Sequence, residues 1–182
     1  MDNTQIRKYR QSDFDKVAEI CEITNISPFM GRNMLLGAFC SYYVEREPQN
    51  CFVAVVGGQV VGYILCAEDS RLWSGVFKSE YIEKTKSLLL RLSGRSLIAA
   101  PLEFYNRYPA HLHINISPEY QRRGIGTKLM DDLTVHLSEK KVRGLMLTVA
   151  KSNTKGRRFY EKYGFAVIKS SRFEIVMGIK LS

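Results

Sequence analysis

The chain has 182 residues, 45% of them hydrophobic, and a formal net charge of +9. This length is sufficient for one domain with its own core, and we expect residues 1–182 to form it. The longest uncharged apolar run, near residues 60–67, is too short to span a bilayer. The first residues lack the pattern of a signal peptide. The sequence therefore predicts a cytoplasmic protein without a membrane partner.

Four cysteines, Cys21, Cys40, Cys51 and Cys66, lie in apolar segments and are too far apart for a Cys-x-x-Cys metal motif. We expect buried, reduced thiols.

The positive charge is concentrated in the C-terminal part. Residues 1–110 contain 13 Lys and Arg against 12 Asp and Glu, whereas residues 111–182 contain 14 against 6. Such an excess can attract a polyanionic ligand, but it is also compatible with a solvated basic surface.

The N-terminal segment predicts one strand and two helices. A weak alternation of apolar residues favours a strand over residues 4–10. The spacing of Ser12 and Asp15 resembles a capping box, and the helical spacing that follows predicts a helix ending near Asn25. The same spacing predicts a second helix over residues 32–46.

The middle of the chain predicts a hairpin and then a long connection. Two β-rich runs, residues 52–56 and 60–66, flank the sequence Gly-Gly-Gln, which is typical of a β-hairpin. The connection over residues 69–110 is long enough to have structure or function of its own. It predicts a helix from about Glu80 to Leu92, stopped at Gly94.

A strand, a glycine-rich turn and a helix follow this connection. Residues 111–116 read His-Leu-His-Ile-Asn-Ile, the alternation of a half-buried strand, and Pro118 ends it. Gly124 and Gly126 then open a helix whose apolar spacing begins at Ile125. A helix start of this kind leaves backbone N–H groups and a partial positive charge available to an anion such as a pyrophosphate.

Two other phosphate-binding motifs are excluded at this turn. A dinucleotide fingerprint requires a third glycine where Leu129 stands, and a P-loop requires a glycine at Gln121 and a lysine at Thr127. The remaining pattern is Gln-x-x-Gly-x-Gly between a strand and a helix. An ordinary glycine-containing helix start is the alternative interpretation.

The C-terminal part predicts a strand over residues 144–150 and a helix that begins at Asn153 and is ended by Gly164. Two strands, 165–169 and 172–180, complete the chain. The elements follow the order βααββ, insertion, βαβαββ. This order predicts an α/β protein with a mixed central sheet flanked by helices.

The segment from Gln121 to Gly126 resembles the acetyl-CoA signature of the GNAT N-acetyltransferases. The segment from Asn153 to Phe165 is similar to the second pattern of that family, with Gly156 in place of a small alanine. The resemblance implies a GNAT-like fold, in which the connection over residues 69–110 is an insertion, and acetyl-CoA as acetyl donor. It also implies a set of coenzyme-binding residues: Asn115, Ile116, Gln121, Arg122, Arg123, Gly124, Ile125, Gly126, Thr127, Asn153, Arg157 and Tyr160.

The resemblance implies transfer of an acetyl group to a primary amine, with Tyr160 protonating the departing thiolate. The spacing of Phe159 and Tyr163 places them on another helix face, and suits the core.

A charged amine must lose a proton before it attacks, and His111 and His113 are the candidate bases because imidazole titrates near neutral pH. Each histidine could equally have a structural, hydrogen-bonded role. A His-x-His metal site lacks a third ligand, so no metal is expected.

Two other functional classes stay open. One is a non-catalytic module that binds acyl-CoA. The other is a nucleic-acid-binding protein, which the sequence disfavours because it lacks a recognition motif. The expected partner is a small-molecule or peptide amine, and its identity stays open among a small amine, an antibiotic, a peptide terminus and a protein lysine. A homodimer is also left open. The sequence Tyr-Pro-Ala-His-Leu-His-Ile-Asn-Ile also resembles bacterial relatives of the acetyltransferase-like domain of O-GlcNAcase.

Overall fold

A computed structural model describes residues 4–24 and 31–181 and confirms the predicted α/β fold. One sheet contains seven strands in the order β1-β2-β3-β4-β5-β7-β6. The strands are β1 (Gln5–Lys8), β2 (Phe52–Val56), β3 (Gln59–Ala67), β4 (Ala110–Ile116), β5 (Gly144–Ala150), β6 (Ala166–Ser170) and β7 (Glu174–Lys180). Neighbouring strands are antiparallel except β4 and β5, which are parallel.

Helices cover both faces of the sheet. They are α1 (Phe14–Thr24), α2 (Arg32–Leu36), α3 (Tyr42–Arg46), α4 (Ser70–Phe77), α5 (Leu88–Glu103), α6 (Ile125–Glu139) and α7 (Thr154–Tyr163). Side chains of α1 to α4 pack with Tyr63 and Leu65 on one face, in a first core. Those of α6 pack with Leu112 and Leu147 on the other face, in a second core. Alternate residues of β2 and β3 therefore serve different cores.

The capping box predicted at Ser12 and Asp15 is wrong. The buried carboxylate of Asp13 accepts the backbone N–H of Arg10 at 2.8 Å and pairs with Arg7 at 2.7 Å. The hydrogen bond and the charge of Arg7 lower the pKa of Asp13. This carboxylate connects β1 to the first helix. The predicted end of that helix near Asn25 lies outside the described residues.

The helix predicted over residues 32–46 is confirmed as a helical segment with a π-helical turn, Gly37–Ser41, between α2 and α3. Gly37 lies against the ring of Tyr81, and a Cβ at this position would overlap that ring.

The four cysteines are buried and free, as predicted. The hairpin is also confirmed: Gly57 and Gly58 both have positive φ, 57° and 80°, which is the requirement of a type I′ turn.

The predicted helix from Glu80 to Leu92 is wrong. The insertion contains α4, which continues through a π-helical turn (Lys78–Ile82), and then α5, which runs through Gly94 without a break. A Cβ on Gly94 would lie 2.7 Å from the side chain of Ile82. Glycine is therefore required here for close packing between two parts of the insertion, and it does not end a helix.

Candidate active site

The strands β4 and β5 separate shortly after they meet. They pair only at Ala110 with Leu145 and at His111 with Met146, and no later residues are in register. A cleft of about 620 Å³ lies beyond this point. Its lining combines the end of β4, the glycine loop that follows it (residues 117–124), the start of α6 and one side of α7. The lining residues are Ile114, Asn115, Ile116, Gln121, Arg122, Gly124, Ile125, Gly126, Thr127, Asn153, Lys155, Gly156, Phe159, Tyr160, Lys162 and Tyr163.

The glycine loop forms a backbone cradle at the start of α6. Arg122 and Gly124 both adopt left-handed backbone conformations, with φ of 63° and 78°. Gly124 precedes the helix, and no side chain caps its first turn. The first N–H groups of α6 therefore point into the cleft without an intrahelical partner. Successive N–H groups in such a conformation, together with the helix dipole, suit a phosphate group.

Two further contacts hold the loop in place. The side chain of Gln121 donates a hydrogen bond from Nε2 to the carbonyl oxygen of Ile116 at 3.0 Å. A Cβ on Gly126 would lie 3.1 Å from the ring of Phe159, so this position packs tightly against α7. Gln121 and Gly126 thus connect the loop to β4 and α7.

The backbone of β4 supplies a second donor to the cleft. The N–H of Ser117 donates to Val61 on β3 at 2.9 Å. Because N–H groups alternate along a strand, the N–H of Ile116 faces the gap between β4 and β5. The N–H of Asn115 faces β3, and its side-chain amide donates to the hydroxyl of Tyr63 at 2.8 Å. Of the two predicted donors of this region, only Ile116 is oriented towards the gap.

Asn153 lies at the edge of the cleft and begins α7. Its side-chain oxygen accepts the N–H of Gly156 at 2.9 Å. A Cβ on Gly156 would lie 2.7 Å from the amide nitrogen of Asn153. A side chain at position 156 would therefore require the cap to shift.

Tyr160 lies in the cleft with its ring half-buried. Burial raises the pKa of Tyr160 to about 12. Among residues 4–24 and 31–181, no group is hydrogen-bonded to its hydroxyl. The hydroxyl therefore stays protonated at neutral pH and is available to a ligand.

Phe159 and Tyr163 pack against the second core, as predicted. Both side chains also line the cleft. The hydroxyl of Tyr163 donates to Asp131 at 2.8 Å. Lys155 and Lys162 also border the cleft. Lys162 was missed as a ligand-binding candidate, although its spacing of seven residues from Lys155, which places both on one helix face, could have indicated it.

Two predicted coenzyme-binding arginines do not line the cleft. The guanidinium of Arg157 pairs with Glu161 at 2.7 Å on the exposed side of α7. The guanidinium of Arg123 donates to the carbonyl of Glu119 at 2.9 Å and lies 5.1 Å from the centre of the Tyr120 ring. Neither side chain lines the cleft in this structure, and a coenzyme contact for either one stays a prediction.

The two histidines face the first core, away from the loop. His111 is buried, and its ring lies 2.8 Å from the hydroxyl groups of both Tyr43 and Ser70. Because Ser70 donates its own proton to Pro109 at 2.7 Å, Nδ1 of His111 carries the proton and donates to Ser70. Burial lowers the pKa of His111 well below 6.5. With both nitrogens engaged, His111 does not fit the predicted role of a base.

His113 is half-buried between aromatic rings. The ring centres of Phe39 and Tyr43 lie 4.8 Å and 5.3 Å from its own. No hydrogen bond to its ring is formed by the described part of the chain. Burial lowers the pKa of His113 to about 4, so the imidazole is neutral at pH 7. The described residues also contain no group of three His, Cys, Asp or Glu that could hold a metal ion.

Comparison with known proteins identifies the class that this fold and cleft define. Residues 14–165 match the Acetyltransferase (GNAT) family, and the chain belongs to that family. It is 25% identical to the protein in the crystal structure of SsHAT, with 98% of both chains covered and a TM-score of 0.81.

Two less similar structures share the fold. An agmatine N-acetyltransferase is 14% identical, with 99% of this chain and all of that chain covered and a TM-score of 0.73. A polyamine N-acetyltransferase of Drosophila melanogaster, which forms N-acetylagmatine, is 14% identical, with 98% and 100% coverage and a TM-score of 0.71. Among the described helices, none has the length and apolar character needed to cross a membrane.

Proposed function

We propose that this protein transfers the acetyl group of acetyl-CoA to a primary amine, as the GNAT family does. The observation that carries the proposal is the cleft at the separation of β4 and β5, where an uncapped helix start meets a left-handed loop at Arg122 and Gly124. This cradle fits the pyrophosphate of coenzyme A. Lys155 and Lys162 add positive charge at the same cleft.

The residues of the cleft account for two needs of acetyl transfer. Acetyl-CoA, when bound, supplies a thioester whose carbonyl carbon is attacked by the amine. The N–H of Ile116 is directed into the gap, where it can donate to the carbonyl oxygen. The hydroxyl of Tyr160 can donate to the sulfur. The pKa of Tyr160 is about 12, whereas an ordinary thiol has a pKa of about 8.5. Because the proton therefore stays on the tyrosine, Tyr160 stabilises the departing thiolate by donating a hydrogen bond to it.

His113 faces the first core and is not among the residues that line the cleft, and we propose it as the group that holds a water on the amine side. It is neutral at pH 7, and no described group is hydrogen-bonded to its ring nitrogens. Because burial lowers its pKa to about 4, it is too weak a base to keep the acceptor's proton, and the water held by His113 relays that proton to solvent. His111, whose two ring nitrogens are hydrogen-bonded to Tyr43 and Ser70, has a structural role.

Calorimetry with acetyl-CoA tests the binding part. Gly124→Val and Gly126→Val should each weaken affinity at least tenfold, because a side chain blocks approach to the backbone and, at Gly126, also displaces Phe159. Gly75→Ala is the control, since it lies in α4 and a Cβ there meets no atom of the described residues within 4 Å. Equal affinity of all three folded variants would contradict the phosphate-cradle assignment.

Thiol release from acetyl-CoA with a panel of amines tests the transfer. Release that depends on an amine supports the enzyme. Tight acetyl-CoA binding without release from any amine supports a non-catalytic acyl-CoA-binding module. Salt-sensitive binding to nucleic acid without coenzyme affinity would instead support the nucleic-acid alternative. Location in the cytoplasm, a homodimer, the single domain and the relation to the O-GlcNAcase-like proteins stay predictions.

A further inference from the structure

Helix α5 of the insertion is apolar on two opposite faces. Its inner face packs into the first core through Leu90, Leu97 and Ile98, with Gly94 against Ile82. The opposite face, which we call the outer stripe, consists of Leu88, Leu92, Arg95, Ala99 and Leu102, all exposed. A helix that is apolar on both sides is normally covered on both sides. The outer stripe therefore has the composition of a contact surface.

The exposure of the outer stripe is large and is concentrated on this helix. Leu88 is 68% exposed, Leu92 53% and Leu102 43%, and Leu89 beside them is 74% exposed. In the described ranges, most other exposed large apolar residues are scattered over separate elements: Ile23, Leu72, Val135, Val167 and Phe173. Single exposed apolar residues are ordinary, but a continuous set on one helix face indicates an interaction site.

The spacing of the outer stripe specifies the shape of its partner. Successive positions are four, three, four and three residues apart, which is the 3-4 repeat of a helix that packs along another helix. Side chains at this spacing form a narrow seam that fits between the side chains of a second helix.

The charge of the outer stripe specifies the partner's chemistry. Arg95 stands at the centre of the seam and Arg91 beside it. Residues 84–102 also contain Lys84 and Lys86, and no acidic residue. Within the described ranges, none of these four cations has a carboxylate within ion-pair distance. A covering helix would need a carboxylate opposite Arg95, because a buried unpaired charge is strongly unfavourable.

A second copy of this chain does not meet that requirement. Residues 84–102 contain no acidic residue, so the seam of a second copy offers no carboxylate to Arg95 in either packing direction. Parallel packing in register places one Arg95 against the other, and like charges there repel each other. A lipid surface also fits poorly, since Arg95 would lie in the middle of the inserted stripe.

We propose that the outer stripe of α5 binds an amphipathic helix of a partner protein, apolar at 3-4 spacing and with a carboxylate opposite Arg95. This surface lies outside the cleft, and the inference is independent of the proposed acetyl transfer.

Two synthetic helices test the proposal. Both are three heptads long with leucine along the seam, and they carry either Glu or Lys at the position opposite Arg95 and at its flanks. Fluorescence anisotropy with the full chain should show at least tenfold tighter binding of the Glu helix. Arg95→Glu should reverse this preference, and Leu92→Glu should weaken binding of the Glu helix at least tenfold. Val135→Glu, an exposed apolar position on α6, is the control and should change nothing.

Acetyl-CoA affinity and thermal stability establish that each variant is folded, since neither depends on the outer stripe. Equal affinity for the two helices, or no binding of either, would overturn the proposal. So would sedimentation showing a dimer that Leu92→Glu dissociates, which would assign the stripe to a second copy. Leu92-dependent binding to phosphatidylserine vesicles, without preference for the Glu helix, would assign it to a membrane surface.

Discussion

Gln121 donates a hydrogen bond to the carbonyl oxygen of Ile116 at 3.0 Å, across the turn that joins β4 to the glycine loop. The same residue, Ile116, presents its N–H to the gap between β4 and β5. One side chain therefore holds the loop at a fixed distance from the strand end. In the proposed function, this bond aligns the pyrophosphate cradle with the donor to the carbonyl oxygen.

Gln121→Ala should weaken acetyl-CoA binding roughly fivefold to tenfold, since one hydrogen bond contributes about 1 kcal/mol. Thermal stability should change little, because Gln121 is exposed. Calorimetry and a melting curve measure the two effects. Gln11→Ala, at an exposed position before α1, is the control. An unchanged affinity of Gln121→Ala would show that the bond does not organise the cradle.

Arg122 and Lys141 are non-glycine residues with left-handed backbones, with φ of 63° and 60°. This conformation costs a non-glycine residue about 1 kcal/mol of folding free energy, which a glycine avoids. Glycine also has more conformational freedom to lose on folding, and this loss offsets the gain. Arg122→Gly and Lys141→Gly should therefore have similar effects on stability, within about 1 kcal/mol. Only Arg122→Gly should weaken acetyl-CoA binding, because only Arg122 lines the cleft. Equal losses of affinity in both variants would contradict a local role for Arg122.

Ser70→Ala should destabilise the fold by about 1–3 kcal/mol, because it leaves the buried Nδ1–H of His111 without an acceptor. It also removes a hydrogen bond to Pro109 that closes the insertion at its base. Denaturant unfolding measures the loss. Ser96→Ala, on the exposed surface of α5, should cost less than about 0.5 kcal/mol. A loss at Ser70 no larger than that at Ser96 would rule out the proposed structural role of His111.

Tyr160→Phe should lower turnover roughly tenfold to a hundredfold while acetyl-CoA affinity and stability change little, because the hydroxyl has no partner among the described residues. Steady-state thiol release and calorimetry separate these effects. With a pKa of about 12, Tyr160 should give no titration in the rate profile between pH 7 and about 9. A loss of stability with unchanged turnover would return Tyr160 to a packing role.

Lowering the pH should destabilise the protein through His113. Its pKa is about 4 in the folded chain against an ordinary value of 6.5. Between these values the unfolded chain binds the proton and the folded chain does not, so stability falls as the pH falls. His113→Phe keeps an aromatic ring beside Phe39 and Tyr43 and removes this titration. Melting temperatures from pH 7.5 to 4.5 should decline less steeply in the variant, and parallel declines would contradict the lowered pKa.

Local chemistry allowed much of the fold to be predicted from the sequence. The alternation in β4, the helical spacing in α6 and the glycines at positions 57, 58, 124 and 164 are properties of short segments. Each of these glycines has a positive φ, which only a glycine adopts without cost. The order of the elements, and with it the acetyltransferase fold, followed from these segments, as did the position of the loop.

Contacts between distant segments decided the remainder. Gly94 has the local pattern of a helix stop, but Ile82 makes it a packing position inside α5. His111 and His113 lie on one face of one strand, and their local sequence gives them the same role. They differ in their hydrogen bonds. Both nitrogens of His111 are hydrogen-bonded, to Tyr43 and Ser70, which are 68 and 41 residues away in the chain. The nitrogens of His113 have no hydrogen bond from the described residues. Periodicity tells which residues share a face, whereas hydrogen bonding and pKa depend on what the folded chain places against that face.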